Sequence, residues 1–247
     1  MDLPLFPLHA VLCPGVVLPL HIFEQRYREM VAHCLANDAP FGVVLIREGR
    51  EVGPSIPDLA TVGTLAEIRE ANEYEDGGYD LITVGTTRFS IDSVAVGRES
   101  YLVGKVQPLP ESVEDPERAR AMADRLSERF VDYLRLLRPA DGEDSTGMDV
   151  QVEVEVREVP TDEAAAGDGP PGATREPVIP EDPTALSYLL SGIIQVELPR
   201  RQALLEAKTT EARLVDLGHL LDRELPLLAR RLRVWSADPR MLAIRRN

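Results

Sequence analysis

Leu18-Pro19-Leu20-His21-Ile22-Phe23-Glu24-Gln25-Arg26-Tyr27-Arg28-Glu29-Met30-Val31 changes its hydrophobic period halfway along. The first half continues an aliphatic run and reads as a strand over Val16–Phe23. From Glu24 onward Tyr27, Met30, Val31, Cys34 and Leu35 fall at helical spacing, which predicts a helix over Glu24–Asn37. Glu24 stands in the first turn, where a carboxylate suits the positive end of the helix dipole. Asn37-Asp38 ends the helix.

Working outward, short β-branched and aliphatic runs recur at Phe41–Arg47, Val62–Arg69, Tyr79–Val84, Thr87–Ile91 and Tyr101–Gln107. Turn chemistry separates them. Cys13-Pro14-Gly15 has Pro and Gly where a type II turn needs them, and Asp76-Gly77-Gly78 is a hairpin signal. The prolines of the opening residues confine any strand there to an edge, where a missing donor costs nothing. Gly63 and Gly85 mark close backbone approaches or bulges. Strands at this spacing suggest a small barrel or sandwich over 1–112.

At residue 113 the period becomes helical. Asp115 is an N-cap before Pro116, and Ala119, Met122, Leu126, Phe130, Tyr133, Leu134 and Leu137 form one stripe, so 113–138 is the first helix of a second lobe. Residues 139–182 hold thirteen acids, two bases, six prolines and five glycines. That composition predicts a mostly flexible acidic insertion over 139–181. Within it, Val150, Val152, Val154 and Val156 alternate with polar residues as a half-buried strand would, with no partner strand evident. Helices resume over 182–235. Asp182-Pro183 opens the first, Thr209 or Thr210 caps the last, and Pro226 kinks or ends that last one. Short connections make these helices antiparallel neighbours in a small bundle. An arginine-rich tail, 236–247, follows.

The chain has 247 residues and a net charge of −15, with only 5% aromatic residues. An acidic chain poor in stacking rings is unsuited to nucleic acid. It has no apolar stretch of membrane-spanning length, no signal-like N-terminus and only two cysteines. These features predict no membrane association and a cytoplasmic setting.

Catalytic signals are weak. The sequence has no G-x-S-x-G elbow and no H-E-x-x-H. Gly97…Gly104-Lys105 has the wrong spacing for a phosphate loop, and Val106 replaces the hydroxyl that would bind magnesium. Lys105 and Lys208 are the only lysines, and neither has a serine close in sequence. Cys13, His21, His33 and Cys34 are soft metal ligands by type. However, His33 and Cys34 point about 100° apart on a helix, and no Cys-x₂-Cys is present. The expectation is no metal, no cofactor and no catalytic residue. A thiol hydrolase built on Cys13 or Cys34 is the enzymatic alternative, and it requires a lowered thiol pKa.

Pro4-Leu5-Phe6-Pro7-Leu8, Pro14-Gly15 and the Leu18–Val31 stretch together resemble the Lon protease N-terminal (substrate-binding) domain family. Phe41–Ile46, Val62–Ile68, Tyr79-Asp80-Leu81 with Gly85, Arg88 and Phe89, and Tyr101-Leu102-Val103 match in order. So do Leu186–Leu190, Arg201–Glu206 and Arg213-Leu214. The resemblance implies an α+β fold: a PUA-like β pseudo-barrel lobe with one helix, followed by a small helical-bundle lobe. It also implies a stand-alone member without the ATPase and protease modules, which cleaves neither peptides nor ATP by itself. The acidic insertion and the arginine-rich tail lie outside the family pattern.

The motif residues Glu24, Arg26, Tyr27, Arg88 and Phe89 are candidate peptide or partner contacts. Their competing role is structural. Glu24, Arg26 and Tyr27 would pin the strand-to-helix turn, and Arg88 would cover the ring of Phe89. The expected function is recognition of exposed or extended polypeptide segments, by strand addition at an open barrel edge or in an apolar groove between the lobes. The alternative is an adaptor that binds a folded protein partner, a protease or itself, through its segments of opposite charge.

Overall fold

The N-terminal strand β1 (Asp2–Leu8) contains two prolines, yet it has a partner on each side. Met1 exchanges both backbone bonds with Val106, at 2.8 and 2.9 Å. Odd-numbered residues of β1 therefore direct their backbone groups toward β7 (Leu102–Pro108), and even-numbered ones toward β3 (Phe41–Glu48). Pro4 faces the β3 side just before that parallel pairing begins at Leu5, and Pro7 faces the β7 side after that pairing has ended at Leu5. Neither proline occupies a position where a ladder donor is needed. The sequence places this strand at an edge; the structure places it at the seam that closes the barrel.

The computed structural model describes residues 1–49, 56–97, 101–137, 156–159, 174–177 and 179–237. Its order continues with β2 (Val17–Ile22), α1 (Gln25–Asn37), β3, β4 (Asp58–Leu59), β5 (Val62–Glu73), β6 (Tyr79–Val96) and β7. The main ladder runs β1-β7-β6-β5-β3, and the β1–β3 pairing joins its ends. β2 pairs with the first half of β6 and stands outside this ring. Among the described residues the ring itself is therefore closed, and strand addition is left to edges outside the closed part. The free edges among the described residues belong to β2, to the short β4 and to the distal half of β5.

Two sequence readings merge here, because Tyr79–Val84 and Thr87–Ile91 are parts of one 18-residue strand. Gly85 does not break it. A Cβ there would stand 2.4 Å from the Cys13 carbonyl oxygen, so glycine lets the Cys13-Pro14-Gly15 turn pack on the strand. That turn has Gly15 at φ 78 and a Val16 N–H donated to Cys13 O at 3.1 Å, as a type II turn requires. Gly63 is similar, its missing Cβ facing Val43 O at 2.6 Å. Gly77, at φ 80, closes the β5–β6 hairpin.

α1 starts one residue later than its periodicity suggests. Glu24 is the N-cap residue rather than a first-turn residue, and its carboxylate turns to Arg26 instead of capping. Asp38 ends the helix in the left-handed region at φ 48. Tyr27, Met30, Val31 and Cys34 face the barrel core with Phe6, Phe41 and Phe89.

The helical part comprises α2 (Pro116–Leu137), α3 (Pro183–Ile193), α4 (Leu198–Glu206) and α5 (Thr210–Ala237). Asp115 Oδ1 accepts from the N–H groups of Glu117 and Arg118, and Asp182 Oδ2 accepts from Ala185 N–H at 2.7 Å. Thr209 caps α5 through Ala212 N–H. Phe130, Tyr133, Leu190, Leu217 and Leu221 form a second core. α5 runs through Pro226, so the proline does not end the helix. The ring removes the donor to the Asp222 carbonyl, and Leu225 and Leu228 on either side pack on the helical core.

Within 139–181, β8 (Val156–Val159) pairs antiparallel with β9 (Thr174–Pro177), so part of the segment expected to be flexible is a hairpin. Of the alternating Val150–Val156 run, only Val156 lies among the described residues. The 236–247 tail lies outside them apart from the last two residues of α5.

Gly85→Ala should lower the unfolding free energy by about 1–3 kcal/mol, because backbone must shift to admit the methyl group. Gly218→Ala in α5, whose new Cβ meets nothing closer than 3.8 Å, should raise it by about 0.5–1 kcal/mol. Urea titration of both variants at unchanged m-value measures the pair.

Candidate functional site

Two surfaces stand out: the junction between the lobes, and the sheet arm made by β2, the first half of β6 and the distal half of β5.

The junction is built around two buried guanidinium groups. Arg88, on β6, is 3% exposed. Its Nε donates to Glu111 Oε1 at 2.8 Å, and its Nη1 donates to the carbonyls of Leu205 and Ala207 at 2.7 and 2.8 Å. Those carbonyls lie at the C-terminal end of α4, where a cation is favoured. Arg213, on α5, is fully buried. It donates to Leu204 O at 3.0 Å, to Ser187 Oγ at 3.0 Å and to Tyr188 Oη at 2.8 Å, and it stacks over the Tyr188 ring at 3.8 Å. Tyr188 in turn donates to Glu111, whose other oxygen lies 3.5 Å from Arg213 Nη2. Burial pushes the Tyr188 phenol far above its usual range, so it serves as a neutral donor. Burial also lowers the Arg213 pKa, against the pull of Tyr188 and Glu111.

Beside Glu111 and Tyr188 a cleft of about 500 Å³ opens between the lobes, walled by Pro14, Thr87, Leu109, Pro180 and Leu189.

On the arm, register fixes two faces. Leu18, Leu20 and Ile22 pair with Thr83, Leu81 and Tyr79 on the face toward the core. Pro19 and His21 pair with Ile82 and Asp80 on the outward face, where Glu70 and Asn72 join them from β5. Phe23 is 62% exposed, Tyr74 47% and Ile82 37%. His21 Nδ1 and Asp80 Oδ1 are 2.7 Å apart, and Tyr74 donates its hydroxyl to the other Asp80 oxygen. The Tyr74 and His21 hydrogen bonds hold the Asp80 carboxyl below its usual pKa, so it is anionic at neutral pH. The His21 and Phe23 rings stack at 6.1 Å.

Strand addition at β2 is poorly supported. Val16 O accepts from Gly85 N–H, so Val17, Pro19 and His21 direct their backbone groups to the free edge. Pro19, in the middle, has no N–H to offer, which blunts that edge. The outward side-chain face is the better surface.

The sequence-derived contact residues divide between the two structural settings. Arg26 pairs with Glu24 at 3.1 Å and lies 4.4 Å over the ring of Tyr27, which packs on Phe6. These three pin the turn into α1, and Tyr27 is buried. Arg88 and Phe89 point to opposite faces of β6, so Arg88 does not cover the Phe89 ring; it approaches Tyr188 instead. Phe89 is wholly inside the barrel. Tyr27, Arg88 and Phe89 thus present no outer surface in this structure. Sequence reasoning quoted Arg213, Tyr188, His21 and Asp80 within motifs without assigning them contacts, and it did not single out Glu111, Tyr74 or Ile82. The period-2 pattern around Ile82 was the available signal for an outward apolar residue.

Cys13 and Cys34 are free and buried, and burial raises both thiol pKa values to about 11. Among the described residues no group of three or more His, Cys, Asp or Glu stands together as a metal site. Nor is any of their helices long and apolar enough to cross a membrane.

The profile of the ATP-dependent protease La (LON) substrate-binding domain matches residues 2–223. The chain belongs to this family. It is 28% identical to the Lon protease of Paraburkholderia phytofirmans over 227 residues, covering 92% of this chain and 24% of that protein. It is 26% identical to the Lon protease of Anaeromyxobacter dehalogenans over 237 residues, or 95% of this chain and 25% of the relative. The chain thus spans about a quarter of the length of the curated relatives it matches. In fold it resembles the Lon N-terminal domain protein from Xanthomonas campestris, with TM-score 0.56 and 24% identity, covering 89% of this chain and 98% of that one. The N-terminal domain of Mycobacterium avium complex Lon protease aligns with TM-score 0.55 and 17% identity, covering 90% and 99%. These likenesses establish the α+β Lon N-terminal fold.

Glu111→Gln should destabilise the chain by about 1–3 kcal/mol, because it leaves two buried guanidinium groups short of an anion. Glu67→Gln, which removes the exposed partner of Arg69, should cost under about 1 kcal/mol. Thermal unfolding of the two variants compares them. A thiol reagent at pH 8 should label neither cysteine in the native protein and both after denaturation, since pH 8 lies well below the raised thiol pKa values of about 11.

Proposed function

We propose that this Lon substrate-binding domain is a non-catalytic module that recognises exposed or extended segments of other polypeptides. The observation that carries the reading is the outward face of the β2–β6–β5 arm. There, Phe23, Tyr74 and Ile82 are exposed beside Pro19 on a paired sheet. Contiguous exposed apolar side chains of this kind mark interaction surfaces. Family membership supports a polypeptide as the ligand. The buried, high-pKa thiols speak against the thiol-hydrolase alternative, whose nucleophile would need to be an accessible thiolate. The partner-binding adaptor reading drew on the acidic insertion and the basic tail, most of which lie outside the described residues.

Titration with a permanently unfolded model protein should show saturable binding at or below about 100 μM. Phe23→Ala combined with Ile82→Ser should weaken it about tenfold or more, the loss expected when two apolar contacts are removed. Circular dichroism should show that this variant remains folded. Absence of binding by the wild type overturns the reading.

A further inference from the structure

We propose that the outward face of the β2–β6–β5 arm selects one class of polypeptide: extended segments in which apolar side chains are flanked by lysine or arginine. This rests on the polypeptide-binding reading above and adds the chemistry of the ligand.

The segment beside the exposed apolar side chains of this face is rich in carboxylates. Residues 67–80 contain six acids, Glu67, Glu70, Glu73, Glu75, Asp76 and Asp80, and one base, Arg69. Arg69 is engaged by Glu67 at 3.0 Å. Arg28 reaches the hairpin from α1, but its Nη1 is spent on the Asp76 carbonyl at 2.6 Å, and its side chain is only 24% exposed. His21 is bonded to Asp80. By register Glu67, Glu70 and Asp80 stand on the outward face, whereas Glu73 pairs with Tyr79 on the core-facing side, so a ligand here meets carboxylates whose nearby basic side chains are already engaged.

The register places two of these carboxylates against the apolar surface. Glu70 stands directly opposite Ile82, and Asp80 lies two residues from Ile82 on the same face, between His21 and Asn72. Tyr74 holds Asp80 from the hairpin end, and Phe23 stacks on His21 at the end of β2. Ile82 and Pro19 thus form an apolar centre bordered by Glu70 and Asp80, with Phe23 and Tyr74 toward the hairpin end. A basic side chain beside an apolar one meets both features at once, its aliphatic stem lying on the apolar surface and its charge reaching a carboxylate. An acidic segment meets repulsion from the same groups, so the surface rejects as well as attracts.

Exposed ion pairs are individually weak and are screened by salt. Two such pairs together should favour a cationic ligand by about tenfold at low ionic strength. The test uses the full chain and three labelled peptides of equal length with one shared apolar core, flanked by lysines, glutamines or glutamates. Fluorescence anisotropy should rank them lysine over glutamine over glutamate, with about a tenfold gap at low salt that closes near ~0.5 M salt, where the Debye length is only a few Å. Glu70→Gln with Asp80→Asn should reduce the lysine-over-glutamine ratio from about tenfold to about one. Phe23→Ala with Ile82→Ser should weaken all three. Equal binding of the three peptides by the wild type overturns the charge selection and leaves the polypeptide reading standing. If no peptide binds while an unfolded protein does, this face is not the seat of recognition. If neither binds, both readings fall.

Discussion

Two guanidinium groups, Arg88 and Arg213, are removed from water at the junction of the lobes, and one carboxylate, Glu111, faces both. Burying such charges is costly unless every donor finds an acceptor. The structure meets that demand with groups from several elements: Glu111 in the β7–α2 connection, Ser187 and Tyr188 on α3, and the carbonyls at the end of α4. None of these acceptors can move far without leaving a buried donor unpaired. The mutual arrangement of β6, α3, α4 and α5 follows from that condition. So does the shape of the cleft beside Glu111 and Tyr188, which the same atoms wall.

The barrel side obeys a different constraint, the close approach of backbone to backbone. Gly63 and Gly85 are positions where a methyl group would strike a carbonyl oxygen, and Gly192 on α3 is one where it would strike the side chain of Val16. These contacts bring the Cys13-Pro14-Gly15 turn onto β6 and seat α3 on the barrel. Tyr188 and Leu205, from α3 and α4, consequently belong to the barrel's core cluster as much as to the helical part. The two lobes share packed side chains as well as the polar junction, and the arm formed by β2, β6 and β5 projects from a firmly held base.

Much of the fold was legible in local pattern. The period switch at Glu24, the caps Asp115, Asp182 and Thr209, and the turns at Gly15 and Gly77 all depend on contacts within a few residues, and all appear in the structure. The misreadings share a cause. Pro4 and Pro7 suggested an edge because sequence does not reveal that β1 changes partners at Leu5. The Tyr79–Val84 and Thr87–Ile91 runs read as two strands because the contact of Gly85 with Cys13, expected as a close backbone approach, lies between residues distant in the chain and leaves the strand unbroken. Pro226 suggested a kink or an end, and the helix continues past it with Leu225 and Leu228 packed on the helical core, a tertiary contact. For the functional surface the divide is sharper. Tyr27, Arg88 and Phe89 were conspicuous as motif residues and are buried, while Ile82 and Tyr74, which are exposed, had no motif to draw notice.

By itself the amino-acid sequence determined the kind of most elements, the short β4 and the β8–β9 pair excepted, the division between a β-rich and a helical region, and the family resemblance. Each of these is written in periodicity, capping and turn chemistry that act over a few residues. Only the tertiary structure decided which strand closes the barrel, where the arginines go and which side chains remain on the outside. Those outcomes depend on partners far apart in the chain. Arg88 meets a carbonyl 117 residues away, and no local pattern encodes a contact across that distance.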